Sequence, residues 1–127
     1  MSLDEYAAFC AEFASTETAE EDGEIAYGEF SDGLGVLITY LNSVSPPAEV
    51  SDWHQALLTS HRELKAEVDE YPGSKNDPID LERFFSLILS YHESLGATVR
   101  AMDPAIRDWL IAAKCMDEEM ASLYLAG

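Results

Sequence analysis

Three histidines and two cysteines are the side chains whose type and placement suggest chemistry beyond packing. His54, His61 and His92 each stand where a helical apolar stripe would put Leu or Ile. If the segments carrying them fold back as a hairpin with Tyr71 beside Leu81, the numbers of facing residues sum to about 152, which places His61 opposite His92 to within one residue. His54 sits two turns before His61 on the same face, roughly 10 Å away by helix rise. Facing imidazoles of this kind could share a transition metal, or form a pair whose protonation loosens the packing below about pH 6. The competing reading is structural: interior histidines bonded to a carbonyl or to water. The Glu-x-x-His signature of di-iron bundles is missing, since Ser51, Leu58 and Leu89 stand three residues before the histidines. No H-E-x-x-H occurs either.

Cys10 and Cys115 lie near opposite ends of the chain. They form no C-x-x-C pair, and two thiolates alone do not make a zinc site. Chain ends often lie close together in a domain, which makes a Cys10–Cys115 disulfide the expected pairing. Closing a loop of about a hundred residues would contribute about 4–5 kcal/mol in the chain-entropy model. The alternative is two buried free thiols. A bridge would imply an oxidising compartment and an exported domain.

The elements that must position these residues read as helices throughout. Segments 3–15, 28–44, 47–71, 79–102, 104–114 and 117–125 carry the apolar spacing of three and four. Ser2 with Glu5 forms a capping box, Asp103-Pro104 a cap followed by Pro in the first turn, and Asp117 a further cap. Leu81, Phe85, Ile88, His92, Leu95, Val99 and Met102 are expected to form one inward stripe. Residues 16–24 read as an acidic loop, and Gly33 and Gly35 as points of close helix packing. Short loops between long amphipathic helices favour an all-α, up-and-down antiparallel four-helix bundle with a short C-terminal helical extension, in one domain.

Composition narrows the function classes. The 127 residues carry a net charge of −18, from 25 Asp and Glu against 7 Lys and Arg, with 47% hydrophobic residues. Such a chain can fold, and it repels nucleic acid and anionic membranes, so no direct nucleic-acid binding is expected. Salt adaptation is a competing cause of the acidity. No run of 18 apolar residues is present to span a membrane. There is no G-x-S-x-G, P-loop, dinucleotide fingerprint or EF-hand loop. The acidic stretches at 20–24 and 77–80 lack calcium-site spacing, and Trp53, Trp109 and Tyr124 read as packing residues.

The start Tyr6 to Cys10, the aromatic-led Tyr27-Gly28-Glu29-Phe30, Pro46-Pro47 leading to Trp53-His54, and Cys115 together resemble small exported helical domains of bacterial proteins, secreted or of lipoprotein type. That resemblance implies export and supplies no activity. The resulting expectation is a non-enzymatic, acidic, extracytoplasmic interaction or accessory domain whose partner is a basic protein, with the export signal outside this sequence. A cytoplasmic location is the alternative. The rival functions are a metal- or small-ligand-binding bundle using His61, His92 and His54, and an acidic mimic of nucleic acid occupying a basic protein's groove.

Overall fold

The structure, a computed structural model, describes residues 1–17 and 25–126, with the backbone alone at 14–17. The described residues form α1 (Leu3–Glu17), α2 (Tyr27–Asn42), a 3-10 turn (Ala48–Val50) leading into α3 (Ser51–Asp69), α4 (Leu81–Ala101), α5 (Pro104–Ala112) and α6 (Glu118–Ala126). The fold is thus all-helical. Among the described residues the one extended pairing is an isolated bridge between Ala26 and Pro78. No helix among them is long and apolar enough to cross a membrane. Of the acidic loop expected at 16–24, the first two residues belong to α1, and 18–24 lie outside the described residues.

Local chemistry sets the helix ends. The Ser2 N–H donates to Glu5 Oε1 at 2.7 Å and the Glu5 N–H to Ser2 Oγ at 3.1 Å, closing the capping box. These bonds from Ser2 hold the Glu5 carboxyl below its ordinary range. Asp80 accepts from the Arg83 N–H at 2.8 Å, Asp103 from Ala105 at 2.9 Å and Asp117 from Met120 at 3.1 Å. The third helix departs from expectation. Pro47 is extended (ψ 149°), the chain tightens into the 3-10 turn, and Val50 at φ −115° separates that turn from α3.

Helix α2 packs on α1 and α3, α3 on α4, and α4 on α6. Two apolar clusters result. The larger gathers Tyr6, Phe9 and Phe13 of α1 with Leu41, Trp53, Leu57, Leu95, Val99 and Leu110. The smaller holds Tyr27, Leu34, Leu64, Val68, Ile79 and Leu87, and half-buried Tyr91 packs against both. At the smaller cluster the loop after α3 crosses the start of α2. The Tyr27 N–H donates to Asp77 O at 3.0 Å and the Gly28 N–H to Lys75 O at 2.9 Å, so first-turn donors of α2 find partners. A Cβ on Gly28 would stand 3.0 Å from Lys75 Cβ, so this crossing depends on glycine. The Tyr27 and Tyr71 rings stack 3.6 Å apart, and the Tyr71 hydroxyl donates to Asp77 at 2.6 Å, which pushes its phenol up to about 12.

Gly33 departs from its expected role: nothing lies within 4 Å of the place its Cβ would take, and Gly35 meets only the Lys65 side chain. The close helix approach falls instead at Gly96, where a Cβ would lie 3.4 Å from the Tyr124 ring.

Cys10 and Cys115 are joined in a disulfide, with Cα atoms 5.0 Å apart across 105 residues of sequence. The backbone is turned for this at the end of α5. Lys114 adopts φ 66°, the left-handed conformation that commonly ends helices, and the Cys115 N–H donates to Leu110 O at 2.8 Å. A side chain at this position is strained. Lys114→Gly is therefore expected to raise the unfolding free energy by about 0.5–1 kcal/mol, the relieved strain exceeding the added chain entropy. Urea titration of the two proteins checks this.

Candidate functional site

Each candidate histidine has its own hydrogen-bond partners. His54 is buried at 3% exposure between α1 and α2. Its Nε2 lies 2.8 Å from Leu41 O, and a carbonyl only accepts, so Nε2 carries the hydrogen. Nδ1 is then the acceptor for the Tyr6 hydroxyl at 2.9 Å. Burial pushes the His54 pKa down, which keeps the ring in this neutral form. His61 is equally buried, and its Nδ1–H donates to Leu57 O at 2.8 Å. Its ring meets Phe13 and Tyr91 edge-on at 5.7 and 5.3 Å.

His92 is half-buried, and its Nδ1 is hydrogen-bonded to the Tyr124 hydroxyl of α6 at 2.6 Å, with burial lowering its pKa. The residue that faces His61 is thus Tyr91, and the next position turns about 100° around the helix toward α6. Among the described residues no group of three or more His, Cys, Asp or Glu side chains is arranged to hold a metal ion.

The feature the chain does present is on α4. Its inner side is made by Phe84, which meets Phe30 at 5.9 Å, by fully buried Leu87, and by Tyr91, Leu95 and Val99. The expected single stripe is therefore corrected. Leu81 and Phe85, assigned to the interior from spacing, are 68% and 61% exposed, and Leu89 is 62% exposed. A four-residue step advances about 40° around a helix, so Leu81, Phe85 and Leu89 form one slanting ridge. That ridge continues on the wheel into His92 and Gly96, which Tyr124 covers, and the Arg100 guanidinium donates to Tyr124 O at 3.0 Å. Among the described residues, one face of α4 is thus occupied by α6 along its second half and bare along its first.

The surroundings of the ridge are acidic. Glu82 and Glu93 are exposed and lie within about 40° of Leu89 on the helix wheel. Leu123 and Leu125 of α6, 65% and 45% exposed, add further apolar surface. The sequence does hold a sign of this. Phe84, Phe85, Leu87, Ile88 and Leu89 run together with only Ser86 between them, a wider apolar arc than one packed neighbour can cover.

No family model matches the chain, and no curated protein or solved structure matches it.

Proposed function

We propose that this is a non-enzymatic, extracytoplasmic docking domain that receives a basic amphipathic helix of a partner protein on the ridge of α4. We read α1 to α4 as an up-and-down bundle that serves as its scaffold, with α5 and α6 as the extension. The observation that carries the reading is the exposed ridge of Leu81, Phe85 and Leu89 on the face that already takes α6 further along. Apolar ridges of this size on an acidic molecule are expensive to leave in water, and they commonly mark interaction surfaces. A helix whose apolar residues repeat at three and four would lie against the ridge, continuing the line of α6.

Charge selects the partner's sign. Glu82 and Glu93 beside the ridge, on a chain of net charge −18, favour lysine or arginine on the flanks of the incoming helix. The same charge opposes pairing of two copies of this chain. The extracytoplasmic setting is supported by the Cys10–Cys115 bridge, because such bridges persist where thiols are kept oxidised.

Three synthetic helical peptides test the reading by fluorescence anisotropy: one with a leucine ridge and lysine flanks, a scrambled isomer, and a version with glutamate flanks. The lysine-flanked peptide is expected to bind saturably, and the others at least about tenfold more weakly. Phe85→Glu combined with Leu89→Glu is expected to abolish binding while leaving the fold intact, since both side chains are exposed. Equal binding of the scrambled isomer would reduce the interaction to net charge and overturn the proposal. Dimerisation of the free protein that Phe85→Glu dissolves would overturn it as well.

A further inference from the structure

Helix α6 and the exposed ridge share one face of α4. Leu81, Phe85, Leu89, His92 and Gly96 follow one another at steps of four, four, three and four residues. At 100° per residue all five fall within an arc of about 80° on the helix wheel. The ridge from Leu81 to Leu89 runs about 12 Å along the axis, and the line through to Gly96 about 22 Å. Tyr124 closes the second part. Its hydroxyl is hydrogen-bonded to His92 Nδ1 at 2.6 Å, and its ring lies 3.4 Å from the place a Gly96 Cβ would take. Its carbonyl accepts from Arg100 at 3.0 Å. A helix that lies on the ridge and extends past Leu89 therefore runs into α6.

The hold of α6 on that seat is narrow. The helix has nine residues, too few to be stable on its own in water. It buries Ala121 and Tyr124 and leaves Leu123 and Leu125 exposed. Elements that bury few side chains are the ones that open most readily. The chain just before α6 is fixed by contrast. Cys115 is bonded to Cys10, the Met116 N–H donates to Leu110 O at 3.2 Å, and the Met116 side chain is buried. A release of α6 thus stops at exposed Asp117, and the tethered helix stays close enough to return to its seat.

We propose, on the docking reading above, that α6 is an internal competitor of the partner: a basic amphipathic helix that extends past Leu89 displaces α6 and takes its seat over His92 and Gly96. A partner helix confined to the ridge, two to three turns long, binds beside α6 and leaves it in place. A helix of four turns or more reaches the second seat only by removing Tyr124 from it. Its apparent affinity is then reduced by the fraction of molecules in which α6 is released. Gly96 suits a seat with exchangeable occupants, because a residue without a Cβ lets the side chain of either helix approach the α4 backbone. The length of the partner's helix thus becomes a criterion of recognition alongside its charge.

Two lysine-flanked peptides with the same leucine ridge, held helical by side-chain lactams, test this: one of about ten residues, matching the ridge, and one of about eighteen, reaching Gly96. Tyr124→Ala is expected to tighten binding of the long peptide at least about tenfold and to leave the short one within about twofold. Tyr124→Phe, which keeps the ring and removes the bond to His92, is expected to shift the long peptide the same way by less. In the wild type, amide hydrogen exchange over 118–126 is expected to rise on saturation with the long peptide and to stay unchanged with the short one. This measurement decides the matter even where Tyr124→Ala fails to fold. Exchange in α6 that is unchanged or slowed under bound long peptide overturns the proposal and leaves the docking reading standing. So does an equal effect of Tyr124→Ala on both peptides. Failure of both peptides to bind either the wild type or Tyr124→Ala overturns the docking reading and the proposal together.

Discussion

Cys10→Ser with Cys115→Ser is expected to lower the unfolding free energy by about 3–5 kcal/mol, among the largest effects of any change to this chain. The bridge spans 105 residues, so its removal frees nearly the whole unfolded chain from one closed loop. A domain of this size has about 5–15 kcal/mol in total, and a third or more of it would go. The consequences are not spread evenly. Helix α1 reaches the rest of the molecule through Tyr6, Phe9, Phe13 and the disulfide, and the chain from 18 to 24 is the sole other covalent tie. Urea unfolding of the double variant and of the reduced wild type should give the same loss. Alkylation in denaturant followed by intact mass should add two groups to the wild type only after reduction. A loss under about 1 kcal/mol would mean that the unfolded chain is already held compact, or that the bridge is strained.

How far the sequence can be read depends on the range of the interactions involved. The capping box of Ser2 and Glu5 and the caps at Asp103 and Asp117 were legible because a cap is settled within three residues. The all-helical class was legible from period alone. The direction of α4 was not. Its apolar residues cover too much of the circumference to choose a face, and the choice belongs to neighbours distant in sequence, α2 and α3 on one side and α6 on another. Which ring faces His61 was not legible for a related reason. Register between two helices joined by a long loop is uncertain by a residue, and one residue exchanges Tyr91 for His92 opposite His61. The glycines show the same limit: whether Gly33 or Gly96 meets a neighbour depends on which helix arrives there. The cysteines stood open between a bridge and two free thiols until the ends were placed in space. The α4 ridge has a sequence trace in the run of Phe84, Phe85, Leu87, Ile88 and Leu89.

The Tyr6–His54–Leu41 chain predicts the second large effect. Tyr6 is fully buried, and Tyr6→Ala is expected to cost about 3–5 kcal/mol, as for other large aromatic truncations in a core. Tyr6→Phe keeps the ring and removes only the hydroxyl, yet it leaves His54 Nδ1 as a buried acceptor without its donor. An expected loss of about 1–3 kcal/mol follows. The same geometry gives a pH dependence whose sign is fixed. Burial depresses the His54 pKa below its ordinary value of 6.5, so the folded protein resists a proton that the unfolded chain accepts. The stability this ring contributes is complete above about pH 6.5 and is lost progressively as pH falls toward the depressed value, then levels off. The slope for one histidine is at most about 1.4 kcal/mol per pH unit. His92, also depressed by burial, acts in the same direction, more weakly because it is half-exposed. Unfolding free energies at pH 7.5, 6.5 and 5.5 should therefore decline through the last interval, above the range where most of the 25 carboxylates titrate. His54→Gln is expected to lower stability at pH 7.5 and to flatten the decline. A decline of unchanged steepness in that variant would assign the acid sensitivity to the carboxylates and not to the buried ring.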